Sequence, residues 1–439
     1  MSASSEPPES TTSAAPMTER ERRRALSTVA LTLFLDLAGF GIILPILPYY
    51  AESFDASATA VTLLSTAFSA AQFVMSPVLG RLSDRHGRRP IMLFSIFGSV
   101  ASSLVLGFAN ALWLVFAARV VAGCCKANVS TAHAYVADLV PAKERAKYMG
   151  MMGAAMGMGF VFGPAIGGLL ATDAMPSLPF FVAALLSLLN LGMAAIWLPE
   201  THFPDRAAQA RVDAAPKPPL LPRMRDAARR VQGTPMAWLI VIAFCFFVAF
   251  AGMESTLPLF SKHMFGWGGR ETGIFMTFIG VNMVIFQGLL VGRAVGKFGE
   301  TTTLTIGLTM VGFGLLTIGG VGHLTALLGF ATTAADGGAS LPALACYGLG
   351  GMLMAGGNGL TTATISALVS RVSTAENQGM NMGMKESSSA LARVSGPAVA
   401  GPLFEHIDPG APLMLGGLVA LINVKLALML GTRMRERES

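Results

Sequence analysis

The sequence predicts an all-α membrane protein of twelve transmembrane helices in two six-helix pseudo-repeats. Three observations carry that expectation. Charged residues are 13% of the 439-residue chain, against about 25% in soluble proteins, while hydrophobic residues reach 53% and mean hydropathy is +0.60. Twelve apolar runs approach the roughly 20 residues that cross a hydrocarbon core. The basic residues gather on alternate connections, which is how a multi-span protein marks one side of its membrane. Short basic clusters between apolar runs disfavour nucleic-acid binding, and the apolar content excludes disorder for most of the chain.

The elements follow in order. Residues 1–25, rich in Ser, Thr, Pro and Glu and closing on Arg20, Arg22, Arg23 and Arg24, read as a disordered tail. The first span, 26–50, starts too late for a cleaved signal peptide and reads as a retained helix. The second, 57–79, has fewer large apolar residues, and its small residues with Pro77 suit a helix buried among others. Spans 91–109, 112–136, 148–171 and 179–198 complete an N-terminal bundle, 26–198. The linker 199–235, rich in Pro, Ala, Arg and Asp, is the clearest boundary. Within it, 222–232 reads either as a basic amphipathic helix on the membrane surface or as a solvated tether. Spans 236–260, 271–292, 302–322, 341–369, 378–402 and 411–430 form a C-terminal bundle, 236–430, ahead of a short tail, 431–439. Cys124, Cys125, Cys245 and Cys346 lie in apolar stretches without metal-site spacing and read as inert thiols.

Charge fixes orientation. Of 31 Lys and Arg, 24 lie in the tails, the linker and the connections 80–90, 137–147, 293–301 and 370–377, and the opposite side holds only Lys262 and Arg270. Both termini and the linker are therefore expected in the cytoplasm, with the chain a monomer in the plasma (inner) membrane. The other five, Arg119, Lys126, Lys385, Arg393 and Lys425, fall within spans.

The halves look like diverged copies. PAKERAKYMG (141–150) is followed by GPAIGG (163–168), and STAENQGMNMG (373–383) is followed at nearly the same distance by GPAVAG (396–401). GRLSDRHGRR (80–89) has a degraded counterpart in GRAVGKFG (292–299). Six plus six spans with a repeated half is the parallel-repeat plan of a secondary transporter, whose site lies between the halves.

GRLSDRHGRRP (80–90) reads as a charged connection. Its glycines permit a tight turn, and its acid and arginines can pair with neighbouring helix ends in one conformation and release in another. It resembles the signature of the major facilitator superfamily at Gly80, Asp84, Arg85, Gly87, Arg88 and Arg89. LDLAGFGIILPILP (35–48) is similar to the first helix of that family's drug:proton antiporter branch, tetracycline efflux proteins in particular. Arg119 with Gly123 resembles its buried arginine motif. GFVFGPAIGG resembles its antiporter helix motif through Gly159, Gly163, Pro164, Gly167 and Gly168. CCKANVSTAHAYVADL (124–139), GMESTLPLF (252–260) and MGMKESSSALARVSGP (382–397) look like segments of the tetracycline-transporter-like proteins of animals. The resemblance covers nearly all of 27–430. It implies the major facilitator fold and proton-coupled export of an amphipathic organic compound or drug by alternating access. It departs from the bacterial tetracycline pumps in the third helix, where Ser102 and Ser103 stand in place of their acid.

An ionisable group within a span costs about 2.5–3.5 kcal/mol on insertion scales, so these groups are the functional candidates. Asp36, in the first span, serves either proton coupling or gating, with Arg119 either accepting the charge of an acid on that helix or relaying a proton by perturbing one. Glu254, in the seventh span, is a second coupling candidate or one member of a fixed pair with Lys126 or Arg393. Lys126, Asn128 and Arg393 are candidates for holding an acidic group of the substrate. Lys385 and Glu386 are adjacent and so do not face each other, and His133 reads as a polar helix-end residue. No phosphate loop, catalytic triad or metal-ligand cluster stands out. The sequence therefore argues against an enzyme or an ATP-driven pump and expects no cofactor, only a proton gradient. The expected partners are the lipid bilayer, a small organic substrate and protons. The alternative is a facilitator or symporter for an endogenous organic anion.

Overall fold

The computed structural model describes residues 18–438 except 173, 202–232, 334–337 and 374–376. The linker segment 222–232 and the first 17 residues thus lie outside the described residues. The N-terminal half contains α1 (Glu19–Ile43), α2 (Leu47–Glu52), α3 (Ala58–His86), α4 (Arg88–Gly107), α5 (Leu112–Cys125), α6 (Asn128–Leu139), α7 (Ala142–Leu170) and α8 (Leu178–Trp197). The C-terminal half contains α9 (Pro235–Phe265), α10 (Gly269–Ile285), α11 (Val291–Phe298), α12 (Glu300–Gly319), α13 (Val321–Leu327), α14 (Leu341–Arg371), α15 (Gln378–His406) and α16 (Ala411–Glu438). Eleven helical stretches among the described residues are long and apolar enough to cross a membrane. The remaining predicted span is α15, 29 residues long but rich in Ser, Gly and charge. Short connections alternate the helix directions, so the start of α1, the end of α8, the start of α9 and the end of α16 share one side. We call it the basic face, and the opposite side the far face.

Three expectations about connections are corrected. Residues 19–25 are helix, not tail. Thr18 caps α1 by accepting from the Glu21 N–H, Glu21 accepts the Thr18 N–H in return, and Arg22 and Arg23 pair with Glu19. A Thr-x-x-Glu box just ahead of an apolar run is a helix start signal. At the other end, α16 carries the expected tail on to Glu438, through residues of good helix propensity. The connection 80–90 is not a loop either. α3 runs through His86 and α4 starts at Arg88, so Gly87 alone, at φ +101°, makes the turn. Gly299, at φ +80°, does the same between α11 and α12. Only glycine adopts these angles without strain.

Two spans are interrupted. The fourth breaks at Lys126–Ala127 between α5 and α6, and the eighth carries a π turn, Phe286–Leu290, between α10 and α11. Such interruptions favour functional positions.

The repeat is visible in the packing. α1 packs on α7 and α8, and α3 on α5; correspondingly, α9 packs on α15 and α16, and α10 on α14. Asn190 Nδ2 donates to the Thr32 carbonyl across the α8–α1 seam, and Asn423 Nδ2 donates to the Ile242 carbonyl across the α16–α9 seam. Gly163 lies against Gly41 and the Ala38 carbonyl of α1, while Gly396 lies against Gly252 and the Val248 carbonyl of α9. Thr32 to Ile242 and Ala38 to Val248 share one shift of 210 residues, and Asn190 to Asn423 and Gly163 to Gly396 share another of 233. The halves meet along α3–α15 and α7–α10.

Candidate functional site

Two groups of charged side chains lie between and beside these halves. In the first, Asp36 of α1 is 5% exposed, and Lys126 places Nζ 2.6 Å from its Oδ2. Ser99 Oγ of α4 donates to Oδ1 at 3.3 Å. Lys126 stands at the break of the fourth span. There Cys125 presses into the space that Gly98 leaves on α4, and Ser95 Oγ accepts the Ala127 N–H at 3.2 Å. Asn128, which opens α6, is fully buried, and neither amide atom is hydrogen-bonded.

The ring of Phe40 joins this group to the second. Lys126 Nζ lies 5.5 Å from its centroid and Arg119 Cζ lies 5.9 Å away. Arg119, 3% exposed, also stacks over Phe68 at 4.4 Å, and its Nε has no partner. Its charge faces Glu254 of α9, which is within electrostatic reach of Arg393 as well. Arg393 sits over the Phe247 ring at 5.6 Å. Arg119, Glu254, Phe40, Pro48, Ser65 and Ser255 line one cavity shared by the two halves. Three cations against two carboxylates give this region a positive excess.

These placements depart from the sequence expectations, or select among them, in three ways. The acid of the first helix is held by Lys126, not Arg119, because Arg119 is two turns nearer the far face, where Phe40 and Phe68 receive it. Glu254 forms no ion pair within 4.0 Å among the described residues. By the repeat register its counterpart is Leu44, while that of Asp36 is Phe246, so the two acids sit at different depths. Lys385 and Glu386 do meet, Nζ to Oε1 at 2.6 Å, and Lys385 reaches Ser366 of α14 at 3.3 Å. Adjacent Cβ atoms point apart, but long flexible stems can curl back together.

The motif residues hold the frame of the site. Gly159, Gly163 and Gly167 let α7 press against the α1 backbone at Phe34, Gly41 and Ile42, and Gly168 meets Gly273 of α10 across the interface. α7 continues as helix through Pro164. Arg88 Nε reaches Asp138 of α6 at 3.1 Å, and its guanidinium also contacts Asp84 and Ser83. Glu200 accepts the N–H groups of Arg88 and Arg89 at 2.9 and 3.1 Å, capping α4. Arg85 makes contacts of its own, while Gly80 lies within α3 facing open space. His133 is partly buried on α6, within electrostatic reach of Glu386. Glu200, Ser99, Phe40 and Phe68 escaped the sequence reading. Phe40 lies four residues, one turn, after Asp36, and that spacing was the available signal.

Among the described residues, hydrogen bonds and an ion pair join the halves from mid-membrane to the far face. Thr66 Oγ1 donates to the Val394 carbonyl at 3.3 Å, Tyr49 Oη to the Pro258 carbonyl at 3.1 Å, and Lys262 Nζ to Glu52 at 2.7 Å. These contacts close the far side over the site.

Comparison with known proteins places this arrangement. The family model "Major Facilitator Superfamily" matches residues 29–356. The class H tetracycline resistance protein of Pasteurella multocida is 30% identical over 333 residues, covering 74% of this chain and 80% of the relative. The class C tetracycline resistance protein of Escherichia coli is 28% identical over 384 residues, covering 87% and 89%. Among solved structures, the human organic anion transporter MFSD10 (TETRAN) superposes with a TM-score of 0.63 at 26% identity, covering 92% of this chain and 99% of that one.

Proposed function

Because the chain belongs to the Major Facilitator Superfamily, we propose that it exports an amphipathic organic compound in exchange for protons, with Glu254 as the acid for which proton and substrate compete. The chain is a multi-pass integral membrane transporter and not an enzyme. The observation that carries the proposal is a carboxylate on the wall of the cavity between the halves, without the direct ion pair that commits Asp36. A carboxylate in such a place needs a proton or a charged or hydrogen-bonding partner. A substrate that engages it displaces the proton, and reprotonation releases the substrate, so the two are exchanged. The basic face is the cytoplasmic side under the positive-inside rule, with both termini and the linker in the cytoplasm. The protein then stands ready to load from the cytoplasm of a plasma (inner) membrane, as a monomer and without a cofactor. Asp36 with Lys126 ties α1 to the break of the fourth span and serves gating.

A second reading, cotransport of an organic anion with a proton, is favoured by the Asp36–Lys126 contact and the unpartnered Nε of Arg119. Protonating Asp36 frees Lys126 for an anionic group, so proton and anion would bind together. The similarity to the human organic anion transporter supports this substrate class. Lys126, Asn128 and Arg393 would then receive the acidic group.

Measurement of substrate affinity against pH in proteoliposomes separates the two. Exchange requires affinity to rise with pH, and Glu254→Gln to flatten the profile. Cotransport requires affinity to rise as pH falls, and Asp36→Asn to mimic low pH. Equilibration indifferent to an imposed pH gradient would sink both.

A further inference from the structure

The basic face carries two arginine–tryptophan pairs that transport does not use. Arg24 of α1 lies over the Trp197 ring of α8, Cζ to centroid 5.4 Å, and Arg433 of α16 lies over the Trp238 ring of α9 at 5.1 Å. The two pairs bridge the α1–α8 and α9–α16 seams, which the repeat makes equivalent and which the Asn190 and Asn423 bonds clamp deeper in the bundle. The roles are exchanged: the arginine comes from the first helix of one half and from the last helix of the other. From these pairs we infer that each seam binds the headgroup of an anionic phospholipid at the basic face.

The first seam contains a groove of about 220 Å³ lined by Arg24, Ser27, Thr28, Leu31, Met193 and Trp197. Its upper wall is a guanidinium and a hydroxyl. Its lower wall, two turns toward the membrane centre, is Leu31, which is 42% exposed, with Met193 beside it. Cation above and apolar wall below match a phosphate with the first carbons of an acyl chain. Arg24 is exposed and forms no carboxylate pair among the described residues, whereas its neighbours Arg22 and Arg23 both pair with Glu19. Arg433 is likewise exposed and outside the ion pairs of the described residues. Stacking one face of a guanidinium on an indole leaves its N–H edges for a bidentate anion. Tryptophan prefers the headgroup level, and basic pockets between membrane helices select anionic headgroups. A zwitterionic lipid would satisfy the tryptophan but gain nothing net from the unpaired arginine.

The full chain is reconstituted in nanodiscs of equal phosphatidylglycerol and phosphatidylcholine, and lipids retained after release are counted by native mass spectrometry. We expect two phosphatidylglycerol molecules held in preference to phosphatidylcholine, with one lost in Arg24→Gln, one lost in Arg433→Gln and both lost in the double variant. Each loss should weaken phosphatidylglycerol retention about fivefold, the factor one basic residue contributes at an anionic surface. Arg24→Lys, which keeps the charge, should retain its lipid, and Arg293→Gln, an exposed arginine away from both seams, should change nothing. A parallel arm with brominated phosphatidylglycerol reads Trp197 and Trp238 quenching in the folded protein, so failure of a variant to fold is detected separately. Equal retention of the two lipids by the native chain, or an unchanged preference in the double variant, overturns the proposal. So does displacement of the bound lipid by inorganic phosphate, which would make the free anion the ligand.

Discussion

The two ends of the interface between the halves are made of the same residue type and behave oppositely. At the far ends of α3, α7, α10 and α15, glycine brings backbones together across the halves. A Cβ on Gly168 would stand 2.9 Å from the Gly273 Cα, and one on Gly401 would collide with Thr59 and Thr62 of α3. Tyr49 Oη shares a hydrogen bond with Thr272 at 2.6 Å beside these contacts, and Glu405 accepts the Thr59 N–H at 2.9 Å. At the basic ends, Gly80, Gly153, Gly292 and Gly383 of the same four spans would meet nothing within 4 Å. Small residues permit close helix contact but do not require it. The far-face glycines are therefore in use here, and under the proposed exchange cycle the basic-face glycines serve the conformation in which that end closes.

The largest effect on the balance of conformations should come from blocking the closed end. Gly401→Val overpacks it, at about 1–3 kcal/mol, enough to shift the conformer ratio about 5- to 150-fold toward a state open at the far face. Transport should fall by a similar factor, and distances between spin labels in connections 53–57 and 266–268 should lengthen. Gly292→Val should leave those distances and the stability unchanged within about 0.5 kcal/mol yet slow turnover. Full turnover in Gly292→Val would mean that the basic end closes without that glycine.

A selective effect on coupling is expected from the two acids. Glu254→Gln should abolish uphill accumulation while sparing downhill exchange, read in the same vesicles with and without a pH gradient. Asp36→Asn leaves a largely buried lysine unpaired, and breaking a buried pair costs up to about 3–5 kcal/mol, so it should lower the unfolding temperature where Glu254→Gln does not. Equal thermal loss in both would erase the distinction between committed and uncommitted carboxylate.

How far the sequence reached follows from what each feature depends on. Spans depend on local apolar length, and the repeat on short glycine motifs, so both were legible. Glu19–Ala25 was missed because its start signal, Thr18 with Glu21, is four residues long inside a polar tail. The pairing of Asp36 with Lys126 escapes the sequence because it depends on which turn of the fourth span stands level with α1. Two turns separate Arg119 from Lys126, and no single-helix pattern fixes that depth. The uncommitted state of Glu254 belongs to no local pattern at all; it emerges only when α9 is set against α5 and α15.

A milder test addresses the far end through pH. Glu405, in the last turn of α15 beyond its predicted span, is held below its usual value of 4.5 by its hydrogen bonds with Thr59. A depressed carboxyl supplies its stabilisation above the usual value and loses it as pH falls through the depressed one. Far-face closure, read from the same label distances, should be constant above about pH 4.5 and loosen only below it. Glu405→Gln should remove that acid limb without altering closure at neutral pH by more than a small amount, since the group is exposed and well screened.

The smallest expected effect bears on the equivalence of the halves. Asn190 and Asn423 each donate through Nδ2 to a carbonyl of the neighbouring helix and leave Oδ1 unbonded. Interhelical hydrogen bonds of this kind average about 0.6 kcal/mol, because the accepting carbonyl keeps its place in its own helix. Asn190→Ala and Asn423→Ala should therefore each lower stability by about that much, and the double variant by the sum, since the two seams share no partners. Reversible unfolding in detergent measures all three. An effect several times larger in one half would mean that one seam carries a load the other does not, and that the register matches geometry without matching energetics.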